Sequence, residues 1–235
     1  MRNGFQPTKP KGVTQTKVPT ERTPTERREG YYDIDFDYGS PPATWDIEEL
    51  FYIKDLKQRK INMNCNIDSS TVTDPIRHIL QFNKEDEGIS PNERKPIILY
   101  LTTYGGSTDA GFQLVDVILN SKTPVYTVNT GFWYSMGALI GIAGHKRYAT
   151  KNAKLLIHDG TNCSFDSTAK VRDQVDFQKK VEERTKEYIL QRSNITNSEY
   201  DNKYRVEWYM FADEAKEKGL IDYIVGEDCE IDEIV

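Results

Sequence analysis

The sequence predicts an α/β protein with a mostly parallel sheet, flanking helices and one long charged helix in its last third. Two observations carry this. Short apolar runs alternate with amphipathic segments of helical length from residue 60 onward, the pattern of strand–helix–strand units. Two of those runs, Pro96–Thr103 and Leu155–His158, are apolar almost throughout, as strands buried inside a domain are.

Residues 1–30 have almost nothing to bury. They are rich in Thr, Pro, Lys and Arg, and Pro19-Thr20-Glu21-Arg22 recurs as Pro24-Thr25-Glu26-Arg27. Such a segment is expected to be a disordered tail. Its glutamates and its lack of an amphipathic pattern speak against an organellar transit peptide. Residues 31–45 alternate aromatic and acidic side chains up to Pro41-Pro42, a short strand or an ordered arm. Asp46 is placed to cap a helix carrying Ile47, Leu50 and Phe51.

Lys60–Ile67 alternates and suits a strand. Ser69–Phe82 is expected to be a helix with Val72, Ile76, Ile79 and Leu80 on one face and Pro75 in its first turn. Glu85–Lys95 reads as a charged loop and Pro96–Thr103 as a strand. Ser107 then opens a helix with Phe112, Leu114, Val115, Ile118 and Leu119 apolar. Pro124–Thr130 is a strand, Met136–Ala143 a two-turn apolar helix, and Arg147–Ala149 and Leu155–His158 are short strands. Ser167–Arg192 is the longest helix, with a sparse stripe of Val171, Val175, Val181, Tyr188 and Ile189. Ala212–Lys218 is a helix stopped by Gly219, and Leu220–Val225 a closing strand.

The net charge is −6 while residues 1–30 alone carry seven Lys/Arg and three Glu, so residues 31–235 stand at −10. A body that acidic argues against nucleic acid as the main partner. The three cysteines, Cys65, Cys163 and Cys229, have neither disulfide-framework nor metal-ligand spacing. A reducing, cytoplasmic compartment fits them. No apolar run reaches the roughly 18 residues of a membrane-spanning helix, and no apolar leader follows Met1.

Chemistry gathers in residues 96–158. Gly105-Gly106 follows a strand and precedes a helix. On its own this is a tight turn; its functional reading is that residues without Cβ let backbone N–H groups face an oxyanion. Ser135 sits at the start of an apolar helix, where free N–H groups and the helix dipole favour negative charge, and Met136 N–H is a candidate oxyanion donor. Of the three histidines, His78 lies in an amphipathic helix and His145 at a helix end, where a cation suits the dipole. His158 ends a buried strand, a costly place for an unpaired imidazole. It is either a structural core histidine or the general base for Ser135.

Four blocks in order tip that balance: Gly105-Gly106-Ser107, Ser135-Met136-Gly137-Ala138, Leu155-Leu156-Ile157-His158, and Ala212-Asp213-Glu214-Ala215 with Gly219-Leu220-Ile221-Asp222. Over residues 59–226 the chain resembles the proteolytic subunit of the Clp protease, the ClpP family of serine peptidases. The resemblance implies a ClpP/crotonase-like fold over residues 59–228, with an arm and first helix at 31–58 and a C-terminal tail at 229–235. It implies Ser135 as nucleophile, His158 as base, and Gly106 and Met136 N–H groups as the oxyanion hole, with no cofactor and no metal. It further implies a homo-oligomeric heptameric ring, single or stacked in a pair, fed polypeptide substrates by a AAA+ unfoldase, with the helix 167–192 as the handle between rings. An unfoldase loop would bind an apolar pocket to which Tyr100, and Ile98 in an aromatic's place, contribute.

Departures from the family pattern are Tyr104 for proline, Asp159-Gly160 for Gln-Pro, and Thr161–Phe165 in place of a glycine-rich strand. Counting back from Ala212, the family's third triad residue falls on Glu207, with Asp201 as the fallback. A glutamate can orient an imidazole as an aspartate does, given room for one more methylene. Two other classes remain open: a ring subunit with impaired catalysis, and a crotonase-type enzyme acting on acyl thioesters.

Overall fold

The computed structural model describes residues 47–234 except 162 and 204; the expected tail over 1–30, the arm over 31–45 and the Asp46 cap lie outside them. Five strands form a wholly parallel sheet: β1 (Lys60–Asn64), β2 (Ile97–Thr102), β3 (Val125–Asn129), β5 (Lys146–Thr150) and β8 (Tyr223–Val225), in the order β1-β2-β3-β5-β8. A second sheet of three strands holds β4 (Phe132–Tyr134), β6 (Lys154–Ile157) and β7 (Trp208–Phe211). β4 runs parallel to β6, and β7 antiparallel to it.

The helices are α1 (Ile47–Lys57), α2 (Thr73–Glu85), α3 (Thr108–Asn120), α4 (Met136–Ile142), α5 (Thr168–Gln191), α6 (Asn197–Lys203) and α7 (Ala212–Glu217). All seven residues of α4 are buried, as an all-apolar helix requires. α3 packs on it so closely that a Cβ on Gly111 would fall 2.2 Å from the Met136 side chain. The core of β1, β2, β3 and β6 side chains therefore closes around the helix that Ser135 opens.

The expected elements recur with shifts that have local causes. α2 starts at Thr73, not Ser69, because the Asp68 carboxylate accepts the Ser70 and Thr71 N–H groups (2.7 and 3.0 Å) and holds a turn ahead of it. Its buried stripe is Pro75, Ile79 and Phe82. Leu80, one helical step from Ile79, therefore faces solvent, contrary to its expected place on the core face. On α1 only Leu56 is buried, and Ile47, Leu50 and Phe51 are exposed. α5 buries only Ile189, so its apolar stripe works at the C-terminal end alone. α7 ends as expected, with Gly219 at φ 67°. The sequence pattern predicts no counterpart of β4, β7 or α6.

A smaller cluster of Ile98, Val128, Tyr148 and Ile234, with Tyr100, Tyr126 and Tyr223 half-buried, forms apart from the main core. The 3₁₀ turn Ile231–Ile234 covers it, and the Tyr100 hydroxyl donates to the Ile234 carbonyl (3.2 Å). Burial, with Tyr126 and Tyr223 adding to it, pushes the Tyr148 phenol up to about 12.

Within the charged loop after α2, Asp86 is buried and takes both Arg59 Nη groups (2.7 Å each) and the Thr123 hydroxyl (2.8 Å). Burial alone would raise its carboxyl, but the Arg59 and Thr123 hydrogen bonds outweigh that and hold it below its ordinary 3.8. A lowered folded value adds stability that is fully present above the unfolded value and lost as pH falls through the folded one. Asp86→Ala, which leaves Arg59 with Glu85 (3.9 Å) and the Lys95 carbonyl, should cost about 1–3 kcal/mol in urea unfolding. Asp86→Asn should flatten the acid loss of stability below about pH 4. An unchanged acid limb would show that this carboxylate does not tie β1 to the loop.

Candidate active site

Ser135 stands between β4 and α4 with φ 55° and ψ −124°. A non-glycine residue held at positive φ marks strain that the surroundings must enforce. Those surroundings are identifiable. β4 is fixed to the end of β2 by Thr103 N–H to Phe132 O (3.0 Å) and Tyr134 N–H to Thr103 O (3.0 Å), and Ser135 N–H donates to Leu156 O of β6 (2.9 Å). The indole of Trp133, fully buried, donates to Leu101 O (2.9 Å). Glycines allow the close fit: a Cβ on Gly137 would meet the Thr103 methyl at 2.3 Å, and one on Gly141 the Trp133 ring at 2.2 Å.

The two glycines of the turn have distinct reasons. A Cβ on Gly105 would lie 2.7 Å from Tyr134 O and 2.8 Å from Ser135 Cβ, so this residue packs directly on the elbow. Gly106 (φ 146°) faces the other way, where a Cβ would sit 2.2 Å from Ile67 O. Ile67 N–H bonds to Gly105 O and Ser107 N–H to Ile67 O (2.8 Å each), which pins the turn from outside. Among the described residues the Gly106 N–H donates to no backbone carbonyl. Met136 is the first residue of α4, where the N–H has no intrahelical acceptor. Both expected oxyanion donors thus remain available.

His158 follows β6 directly. Ile157 pairs with Trp208 in the antiparallel register, so the next pair along is His158 with Glu207. Their side chains meet there, His158 Nδ1 to Glu207 Oε1 at 2.9 Å. Asp201, the fallback, lies on α6 and binds Lys186 Nζ (2.6 Å). Ser135 and His158 line one cavity of about 330 Å³, whose apolar wall is Met136, Leu139, Ile157 and Ile189. No hydrogen bond joins the Ser135 hydroxyl to His158 among the described residues.

The other histidines stand apart. His78 Nε2 pairs with the Tyr52 hydroxyl (2.7 Å). His145 departs from the cation expected at a helix end: burial pushes its pKa down, and its Nδ1 accepts the Val125 N–H (3.1 Å). No group of three or more His, Cys, Asp or Glu is arranged to hold a metal ion among the described residues. No described helix is long and apolar enough to cross a membrane.

Two contributors are not evident from the sequence pattern. Thr103, buried, accepts the Gly105 N–H on its hydroxyl (3.1 Å) while its methyl meets Gly137. Asn129, fully buried, accepts the Gly131 N–H (3.0 Å) and donates to Lys154 O (3.0 Å), fastening the loop from β3 into β4. A polar residue closing each apolar run is the available signal.

A mostly parallel central sheet with flanking helices, a serine at a strained strand–helix junction and a histidine–carboxylate pair across β6 and β7 define a mixed α/β class of fold. The family model of the Clp protease matches residues 48–228. The chain belongs to that family.

The geometry of the turn is directly testable. Gly160 has φ 76°, and a Cβ added there would have nothing within 4 Å, so Gly160→Ala should cost only the conformational strain, about 1–2 kcal/mol. Gly106→Ala adds a collision with backbone and should melt at a clearly lower temperature. Equal melting points for the two variants would contradict the close approach at Ile67.

Proposed function

We propose that the chain is a Clp-type serine endopeptidase subunit with Ser135, His158 and Glu207 as its triad. The observation that carries this is the His158 Nδ1–Glu207 Oε1 pair at 2.9 Å, with His158 on the cavity that Ser135 also lines. With its Nδ1 proton held by Glu207, His158 presents Nε2 as the base. Ser135 Oγ bonds to the peptide carbonyl carbon while its proton passes to Nε2. Gly106 and Met136 N–H groups stabilise the oxyanion. The imidazolium then protonates the leaving amine as the C–N bond breaks, and a water, activated by the same base, hydrolyses the acyl-enzyme. The apolar wall of the cavity suits an apolar side chain next to the scissile bond.

Substrates are unfolded polypeptides, degraded in the chamber of a homo-oligomeric ring, heptameric in this family, and delivered by a AAA+ unfoldase. The charged, largely exposed α5 suits the handle between stacked rings. Tyr100 and Ile98, expected at the pocket for the unfoldase loop, belong to the small cluster that the Ile231–Ile234 turn covers. A ring subunit without turnover is the second reading, and the unjoined Ser135 and His158 side chains favour it. Catalytic hydrogen bonds are commonly long in unliganded enzymes and close with substrate, so the peptidase reading stands ahead.

A fluorophosphonate should label the protein at Ser135, and Ser135→Ala should abolish both labelling and cleavage of short fluorogenic peptides with assembly intact. Glu207→Gln should lower kcat by about 10²–10⁴-fold, while Asp201→Asn, whose partner is Lys186, should stay near the parent. Peptide cleavage surviving in Ser135→Ala would overturn the assignment. Loss in Asp201→Asn with none in Glu207→Gln would move the acid to α6.

A further inference from the structure

The two N–H groups of the proposed oxyanion hole come from different elements. Met136 opens α4, whereas Gly106 stands in a glycine turn, and a glycine pair left to itself samples many orientations. A misplacement of about 1 Å at a reacting centre can cost on the order of 10²-fold in rate. The turn must therefore be fixed relative to the serine.

A peptide plane lies on each side of Gly105. The one between Gly105 and Gly106 is held from outside, where Gly105 O accepts the Ile67 N–H (2.8 Å). In a trans peptide C=O and N–H point in opposite directions, so the Gly106 N–H points away from Ile67. The plane between Tyr104 and Gly105 is held by the Thr103 hydroxyl, which accepts the Gly105 N–H (3.1 Å). That bond is buried and Thr103 is 2% exposed, so bulk water does not compete for it.

Thr103 also grips the strand that leads to the nucleophile. Its N–H donates to Phe132 O and its carbonyl accepts the Tyr134 N–H (3.0 Å each). Its methyl lies where a Cβ on Gly137 would meet it at 2.3 Å. One residue thus touches the turn of Gly106, the strand before Ser135 and the second residue of the helix that Met136 opens.

We infer that Thr103 is a positioning residue: its hydroxyl, by holding the Tyr104–Gly105 peptide, sets the direction of the Gly106 N–H relative to Ser135 and the Met136 N–H. The inference rests on the peptidase reading, since only there does that direction have a use. With both flanking planes held, Gly105 loses the freedom a glycine otherwise has. Without the hydroxyl, one plane is released and the Gly106 donor drifts with it. A threonine that only packs would affect bound substrate and transition state alike; a positioning hydroxyl acts on the transition state, where the oxyanion exists.

Thr103→Val keeps the shape and removes the hydroxyl; Thr103→Ser keeps the hydroxyl and removes the methyl. In cleavage of short peptides Thr103→Val should lose about 10–10²-fold in kcat with KM unchanged. Its affinity for a peptide boronate, which forms a tetrahedral anionic adduct with a reactive serine, should fall by the same factor. Thr103→Ser should recover kcat to within about threefold of the parent even where its melting point is lower. The Gly105 amide should exchange slowly in the parent and in Thr103→Ser, and at least about tenfold faster in Thr103→Val. Parental kcat and boronate affinity in Thr103→Val would overturn the inference and leave the peptidase reading in place. A Thr103→Ser loss as deep as that of Thr103→Val, or a freely exchanging Gly105 amide in the parent, would overturn it too, and both can be read even where Thr103→Val does not fold. A parent that neither cleaves peptides nor binds the boronate would remove the peptidase reading and this inference together.

Discussion

The site depends on the register of the small three-stranded sheet. β6 lies between β4 and β7, parallel to one and antiparallel to the other. Its Leu156 carbonyl takes the Ser135 N–H, and His158 leaves its end opposite Glu207. A slip of one residue in the β6–β7 pairing would turn every side chain of β7 to the other face. It would bury Tyr209 and bring Trp208 and Met210 to the surface. The inward Trp208 and Met210, both nearly fully buried, are what exclude that slip. The His158–Glu207 pair is held by the packing of Trp208 beside it and Met210 further along β7.

The same logic governs the glycine turn. Gly105, Gly137 and Gly141 each sit where a single Cβ would collide with the Ser135 elbow, with Thr103 or with Trp133. Interiors are close-packed and yield little to an added methyl. The strained φ of Ser135 is therefore maintained from several sides: by the Leu156 carbonyl, by Thr103 at the end of β2, and by the all-buried α4 beneath it. On the proposed peptidase reading, strain kept by several independent contacts serves a nucleophile that must project from its helix without swinging away.

Much of this is legible in the chain. The largely apolar runs at 96–103 and 154–157 mark β2 and β6, with Gly105-Gly106 just past the first and His158 at the end of the second, while Ser135 opens the apolar run of α4. Counting back from Ala212 reaches Glu207, whose Oε1 lies 2.9 Å from His158 Nδ1. Three-residue β4 and four-residue β7 are out of reach, being too short for any period to declare itself. Leu80 misleads because helix phase, set by Pro75, Ile79 and Phe82, turns it outward. His145 misleads because a neutral imidazole accepting from Val125 reads, in sequence, like a cation at a helix end. The Tyr134–Tyr209 ring contact carries no sequence signal, since only the sheet creates it.

The central claim is that Ser135, with its oxyanion donors and the His158–Glu207 pair, forms one acyl-transfer site. The most direct measurement is a crystal structure of the protein after reaction with diisopropyl fluorophosphate. The phosphorus should be bonded to Ser135 Oγ, and its phosphoryl oxygen should accept hydrogen bonds from the Gly106 and Met136 N–H groups at about 2.7–3.1 Å. His158 Nε2 should have closed on the ester oxygens with Nδ1 still on Glu207. An adduct on another residue, or a phosphoryl oxygen turned to solvent away from Gly106, would contradict the account.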